Sequence, residues 1–364
     1  MKACKFLFVF FLLSIIFIKT NFVFASYHFS DFKAGHPIHV LGGLSKSPKG
    51  VTPDMIKKIY NLPASGGQGT IAIIGAYDDK SIESDLNTFS TQYNLPACTT
   101  ANKCFEKHLI SSGTKTDKGW AMETSLDVEW AHAIAPNAKI LLVSAKTPSG
   151  QNLLKAIDYA SSHSDVVAIS MSFGGAEFKE ETTLDSHFKN NIMYFASSGD
   201  NGAGASWPAA SPKVVSVGGT SLVFNAKGNF SKELAWSGSG GGVSAYEAEP
   251  AYQKDYSIPK AGGMRSIPDV AYNANPKSGF PIYYKSGWYV VGGTSAGAPQ
   301  WAGIASLGMS ATNENFYKDK SSTQNGSFFR DIKSGSNGDC GYYCNARAHY
   351  DYVTGLGSPL TMNF

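Results

Sequence analysis

Charge and cysteine are both scarce in this sequence: Asp, Glu, Lys and Arg make up 16% of its 364 residues, and there are five cysteines. So low a charge content, beside 43% hydrophobic residues, excludes a disordered tail or a coiled coil. The chain is long enough to bury a sizeable core, so a small metal-stapled module is excluded too. No stretch concentrates Lys and Arg. Of the 31 basic residues, Lys2, Lys5 and Lys19 lie in the first 25 positions, which hold no acid; the other 28 face 28 acids. The remainder is formally neutral, and no nucleic-acid partner is expected. No internal repeat is evident, and the one low-complexity stretch is Ser237 to Gly242. The apolar run from Phe6 to Ile18 has 13 residues, short of the roughly 20 that span a bilayer.

That run follows basic Lys2 and Lys5 and precedes Val23-Phe24-Ala25, with small residues at −3 and −1 of a cut. Residues 1–25 therefore read as a signal peptide, and the rest as secreted, extracellular or periplasmic, without a membrane anchor after cleavage. Past Cys4 the cysteines fall into two close pairs, Cys98 with Cys104 and Cys340 with Cys344. An even count in an exported chain reads as two local disulfides. A four-cysteine zinc site is the rival, but neither spacing is the two-residue knuckle such sites favour.

Thirty-eight glycines and 16 prolines punctuate short apolar runs that alternate with helical stretches. This is the pattern of an α/β domain with a mostly parallel central sheet flanked by helices. Strands are expected at Thr70–Ala76, Lys139–Ser144, Val166–Ser170, Met193–Ala196 and Trp288–Val291, and a strand-turn-strand over Val214–Val217 and Ser221–Phe224. Helices are expected at Ala121–Ile134, Gln151–Ser162, Thr183–Lys189 and Ser295–Leu307. One domain runs from about residue 46 to 364, after a leader, 26–45, whose structure the sequence leaves open.

Gly293-Thr294-Ser295-Ala296-Gly297-Ala298-Pro299 follows an apolar strand and opens a helix. A serine there sits where unpaired helix N–H groups favour a developing oxyanion, though a plain N-cap serine fits the segment equally well. A serine nucleophile needs a base, and no His-Gly-Thr motif offers one; His132 reads as a packed helical residue. Glu123 and Asp127, four apart, share one helix face, where their carboxyls can share a proton. Their neighbours Met122, Leu126, Val128, Trp130, Ala131, Ala133 and Ile134 make that segment largely apolar, which points to desolvated carboxyls rather than a solvated face. Asp200, in Ser198-Gly199-Asp200-Asn201-Gly202 after a strand, reads as ordinary turn chemistry by itself.

Together these segments resemble the sedolisin family of serine-carboxyl peptidases, similar to subtilisin in fold but with a Glu-Asp pair replacing the histidine base. The resemblance runs from Val51 (VTPDMIKKIYNLP) to Pro359. It rests on ETSLDVEWAHAIAPNAKI, SMSFGG, SSGDNGA, SWPAASPKVVSVGGTS, SGGGVSAYEAEPAYQ, RSIPDVAYNANP, GGTSAGAPQWAGI, DIKSGSNG and YDYVTGLGSP, in family order. It implies Ser295 as nucleophile, Glu123 as base and then acid, Asp127 as the group orienting Glu123, and Asp200 as oxyanion-hole acid. At the end of a strand, Ser170, Ser172 and Gly174 would offer backbone hydrogen bonds to an extended substrate. One structural Ca²⁺ is implied, held by carboxylates of Asp331 and Asp351 and carbonyls of Ile332, Arg347 and His349. Arg347 and His349 replace glycines typical of relatives, and Phe173 and Asn273 stand where relatives often have Trp and Asp, departures that bear on substrate subsites.

The resemblance also implies a long pro-domain, for which residues 26–45 leave no room. The function implied is an acid-active endopeptidase acting on polypeptides as a monomer. Alternatives are a tripeptidyl-peptidase on the same scaffold and a non-catalytic secreted peptide-binding homologue; a histidine enzyme built on Asp78 or Asp79 lacks its His-Gly-Thr helix.

Overall fold

The computed structural model describes residues 27–318 and 328–360; the signal-peptide stretch lies outside them. The strands that position the site are β1 (His39–Ser45), β2 (Thr70–Ala76), β3 (Phe105–Leu109), β4 (Lys139–Ala145), β5 (Val166–Met171), β6 (Met193–Ser197), β7 (Val215–Phe224), β8 (Phe230–Ala235), β9 (Val270–Asn273), β10 (Phe280–Tyr284) and β11 (Gly287–Gly292). The helices are α1 (Pro53–Ile59), α2 (Ile82–Gln92), α3 (Lys118–Ile134), α4 (Gly150–Ser161) and α5 (Gly297–Ser306).

All seven residues of β2 are buried, as a strand covered on both faces requires. Its side chains alternate between layers: Ile71 and Ile73 join the core with α3 and α5, Ala72 and Ile74 the core with α4. The parallel strands run β3-β4-β2-β5-β6-β7, with β9 parallel beside β7 and β8 antiparallel to it. A second, antiparallel sheet has β11 between β1 and β10. Asp117 caps α3, accepting the Trp120 N–H at 3.0 Å, and every residue from Trp120 to Ile134 is buried. A helix buried all round has no solvent face for its acids, which sets up the site.

The expected α/β architecture is present, with local differences. Val214–Phe224 is not a strand-turn-strand but holds one ten-residue strand, Val215–Phe224. Its Gly218-Gly219 is there for close approach rather than for a turn. A Cβ on Gly218 would press on Pro268 and the Val353 carbonyl, and one on Gly219 on Trp236 and Ala274. The helix expected at Thr183–Lys189 is a 3-10 segment, Glu181–His187. Cys98–Cys104 and Cys340–Cys344 are disulfide-bonded, so the zinc alternative falls. Asn273 and Phe173 are both fully buried, so neither lines a subsite by its side chain. Asn273 accepts from Leu222 N–H and donates to the Ser278 carbonyl, and Phe173 packs toward Trp120. Among the described residues no helix is long and apolar enough to cross a membrane.

Arg265 and Asp269 are both fully buried and paired by two hydrogen bonds, with Tyr317 and the Ser216 N–H also donating to Asp269. Removing one partner strands the other charge; Asp269→Ala is expected to cost about 3–5 kcal/mol in denaturant unfolding. Other buried acids titrate upward. Burial, with Glu177 beside it, pushes Glu181 up to about 9, and burial with Asp185 nearby pushes Glu247 up to about 8. Burial also raises Glu129, whose Oε2 accepts the Tyr283 N–H. For acids raised in the folded state, stability is fully present below the unfolded value and is lost as pH rises toward the folded one. Each costs up to about 1.4 kcal/mol per pH unit across that window. Thermal unfolding followed by circular dichroism should therefore give a midpoint that falls from pH 4 to pH 8; a rising midpoint contradicts this.

Candidate active site

Four separate segments converge. Helix α3 carries Glu123 and Asp127 one turn apart; β5 leads into Ser172–Gly174; β6 leads into the loop with Asp200; β11 leads through Gly293 into Thr294 and Ser295. Thr294–Ala296 forms a single 3-10 turn before α5, so Ser295 sits just ahead of the helix rather than within it. Gly293 has φ +122°, and a Cβ there would collide with the Pro37 carbonyl oxygen and Asp200 Oδ2. Only glycine satisfies both the backbone conformation and the space.

Glu123 and Asp127 are each 1% exposed. Burial, then the charge of Asp127, hold the Glu123 carboxyl well above its usual range, with Asp200 adding to the repulsion. The Ser295 hydroxyl adjoins Glu123 and favours its ionised form, at loose geometry that leaves neither group with a complete hydrogen bond. Such looseness is common before substrate arrives. Burial raises Asp127 as well, opposed by the Ser172 hydroxyl, which donates to Asp127 Oδ1 at 2.5 Å and lies 3.1 Å from the Ser295 carbonyl oxygen. Asp200 Oδ1 accepts from the Thr294 N–H (2.8 Å) and hydroxyl (2.7 Å), leaving Oδ2 toward the cleft. Burial raises Asp200 too, although His39 and Thr294 pull it back.

The structure thus brings together Ser295, Glu123, Asp127 and Asp200. Among the residues expected to offer backbone hydrogen bonds to substrate, Ser170 and Ser172 have buried side chains, and the Ser172 hydroxyl donates to Asp127. Gly174 is different: its N–H and carbonyl pair with those of Gly35 at 3.1 and 2.9 Å. The segment from Gly35 to His39 forms one wall of a cavity of 390 Å³ that Gly174, Gly175 and Asp200 also line. His39 Nε2 lies 3.0 Å from Asp200 Oδ2, and His36 Nδ1 4.0 Å from Glu123 Oε2. Sequence reasoning missed both histidines and Thr294, because nothing in a His-Pro-Ile-His stretch links it to residues far along the chain.

His132 is packed as expected, its Nε2 2.9 Å from the Pro96 carbonyl oxygen. Asp78 pairs with Lys107, and Asp79 accepts from Ser81, so neither orients a histidine. Near the C-terminus, Asp331 accepts the His349 N–H and Asp351 the Arg347 N–H, each at 3.1 Å, so both carboxylates face the 347–351 loop. His349 takes φ +65°, and Ile332 is buried beside Asp331.

The Subtilase family model matches residues 110–325, more than half of the chain. Sedolisin from Pseudomonas sp. (strain 101) is 27% identical over 85% of this chain and 60% of its own length; kumamolisin from Bacillus sp. (strain MN-32) is 29% identical over 87% and 63%. Tripeptidyl-peptidase 1 from Dictyostelium discoideum is 28% identical over 85% and 57%. The chain thus spans about three fifths of the length of these curated relatives. The solved structure of Pseudomonas sedolisin, a serine-carboxyl proteinase complexed with two molecules of pseudo-iodotyrostatin, superposes with a TM-score of 0.71 at 27% identity, covering 86% of this chain and 96% of that one. The subtilisin-like fold, the Glu-Asp pair on α3 and these similarities lead to one assignment: the chain belongs to the sedolisin family of subtilases.

Proposed function

We propose that this chain is a secreted, acid-active serine-carboxyl endopeptidase that acts as a monomer on polypeptides. The observation that carries the reading is the convergence of Ser295, Glu123, Asp127 and Asp200 from separate segments on one buried point beside a cleft that accepts extended chain. Glu123 takes the Ser295 proton as Oγ bonds to the peptide carbonyl carbon. The carbonyl π pair moves onto oxygen, which the Ser295 N–H and a protonated Asp200 hold. Collapse breaks the C–N bond; the amine leaves with the proton from Glu123, and an ester remains on Ser295. Water then attacks the ester, gives a proton to Glu123, and the acid product departs as Oγ is reprotonated.

Endopeptidase action is favoured over tripeptidyl-peptidase action by one feature. Chain in the cleft continues past Gly174, where Lys33 bridges to Ser149, so the groove is not walled off there.

Two carboxylates and three carbonyls, all oxygen, suit calcium, and burial pushes Asp351 up to about 7 although the N–H and hydroxyl groups donating to it pull it down. Asp331, Asp351 and the carbonyls of Ile332, Arg347 and His349 would hold the ion, which would tie the 331 and 347–351 segments together.

Two outcomes test these readings. Cleavage of a denatured protein should follow a bell in the acid range, because Glu123 must be ionised and Asp200 protonated, and burial raises both. The rate falls on the acid side as Glu123 gains its proton and on the alkaline side as Asp200 loses its own. Ser295→Ala and Glu123→Ala should each lose about 100-fold or more. Activity peaking near neutral and surviving Glu123→Ala removes the base; a folded but inactive protein at every pH favours the binding homologue. For the ion, EGTA should lower the thermal midpoint by about 5 °C at fixed pH. Asp351→Asn should abolish that difference, and no EGTA effect on the unsubstituted protein rejects the site.

A further inference from the structure

The loop from α2 to β3 folds on itself before it meets α3. Asn102 Oδ1 accepts from the Thr99 and Cys104 N–H groups at 3.0 and 3.1 Å, and its Nδ2 donates to the Ala97 carbonyl at 2.7 Å. These bonds give the loop a frame besides the Cys98–Cys104 disulfide. Cys98 is fully buried and Cys104 half-buried. On α3, five residues beyond Asp127, His132 is fully buried too. The Pro96 carbonyl oxygen 2.9 Å from His132 Nε2 can only accept, so the ring carries its proton on Nε2 and keeps a lone pair on Nδ1. That Nδ1 is buried and has no hydrogen-bond partner. Burial, opposed by the Pro96 carbonyl and aided by nearby Lys57, lowers His132 and keeps the ring neutral. The sulfurs of Cys98 and Cys104 and a ring nitrogen of His132 all lie within 4.8 Å of one another. Packing alone leaves the buried lone pair unexplained. An imidazole whose other N–H is given to a backbone carbonyl has the arrangement of a metal ligand, since that bond fixes both tautomer and ring orientation.

We propose that Cys98, Cys104 and His132 form a thiol-gated zinc site, closed while the disulfide stands and, once it is reduced, holding one Zn²⁺ through two thiolates and the His132 imidazole, with a fourth position left to water. This is not the four-cysteine site set aside above, which needs Cys340 and Cys344; those two are bonded to each other. The opening step is thiol–disulfide exchange: a dithiol in the medium supplies two electrons and two protons, becomes a cyclic disulfide, and leaves Cys98 and Cys104 as thiols. Binding the ion releases both thiol protons to solvent. Two thiolates and one Zn²⁺ add no net charge, so the buried place beside Lys57 takes the ion without an unmatched charge. A disulfide in the medium reverses the sequence, taking two electrons from the thiolates and two protons from water to become thiols, while the Cys98–Cys104 bond re-forms and the ion leaves. The two states differ in what they tie together. The disulfide joins the loop to itself, whereas the ion joins the loop to α3, the helix that carries Glu123 and Asp127.

The test titrates the full chain with Co²⁺, a spectroscopic substitute for Zn²⁺, and then with Zn²⁺, before and after reduction by a dithiol that is removed under nitrogen before the metal is added. The reduced chain should develop thiolate-to-cobalt charge-transfer absorption, which oxygen ligands at Asp331 and Asp351 do not give, and Zn²⁺ should bleach it; the oxidised chain should show neither. Cys104→Ser and His132→Ala should each weaken Zn²⁺ binding by about 100-fold or more, since loss of a group one step beyond the ligands already costs about 10–100-fold. Cys104→Ser leaves the His132 ring in place and decides the matter alone where His132→Ala fails to fold. Cys340→Ser should leave the absorption unchanged. No absorption in the reduced chain overturns the site, as does absorption that survives Cys104→Ser or is lost with Cys340→Ser. Binding of equal strength to the oxidised chain overturns the gating.

Discussion

Taking carboxyl groups out of water without giving them a cation is the constraint on which this structure turns. Glu123 and Asp127 lie on a helix whose Trp120–Ile134 stretch is buried on every side, and Asp200 comes to the same point from another strand. Among the described residues no lysine or arginine pairs with them; the partners are hydroxyls, backbone N–H groups and two imidazoles. In such a place an ionised carboxylate is costly, so protons are retained at pH values where free carboxyls have lost them. The acid activity proposed for this site would then be a consequence of burial. An imidazole base would be charged and idle under the same conditions, whereas a carboxyl raised by its surroundings still titrates in the working range.

The fold supplies that burial cheaply. The central sheet is covered on both faces, and its parallel strands β5 and β6 end where the loops to Ser172 and Asp200 begin. The antiparallel sheet of β1, β10 and β11 delivers Ser295 to the same point across the cleft. Gly293 is the joint, since its conformation and the absence of a Cβ let Asp200 and an extended chain approach together. Ser172 illustrates how closely the parts are shared. It lies two residues before Gly174, whose backbone pairs with Gly35, and its hydroxyl is spent on Asp127, so the strand end and the buried acid are tied by one residue.

Much of this was legible in sequence because the residues concerned obey local rules. The run TIAIIGA is apolar at every position because its strand is covered on both faces, and Glu123 and Asp127 share a face because they are four apart on a helix. Close cysteines formed local disulfides for a similarly local reason. What stayed hidden depends on distant neighbours. Gly218-Gly219 looks like a turn until Pro268, Val353, Trp236 and Ala274 are seen crowding an extended strand. Asn273 reads as a subsite change until Leu222 and Ser278 are found to consume its amide. His36 and His39 have no local signature at all; only the pairing of Gly35 with Gly174 and of β1 with β11 carries them to the catalytic acids.

The same electrostatic logic extends beyond the site. Glu129 on α3, Glu181 and Glu247 are also buried and raised, all three by neighbouring acids as well as by burial. Each is better tolerated as a neutral acid than as an anion, so the fold and the candidate active site ask for protons in the same pH range. The buried Arg265–Asp269 pair shows the other solution, a charge matched in place by two hydrogen bonds, and it is used where no titration is wanted. Unmatched carboxyls, at the site and beyond it, are the groups that change with pH, whereas the matched pair holds the scaffold. A molecule built this way is more stable in the same pH range in which the buried acids of its candidate site keep their protons, rather than trading one against the other.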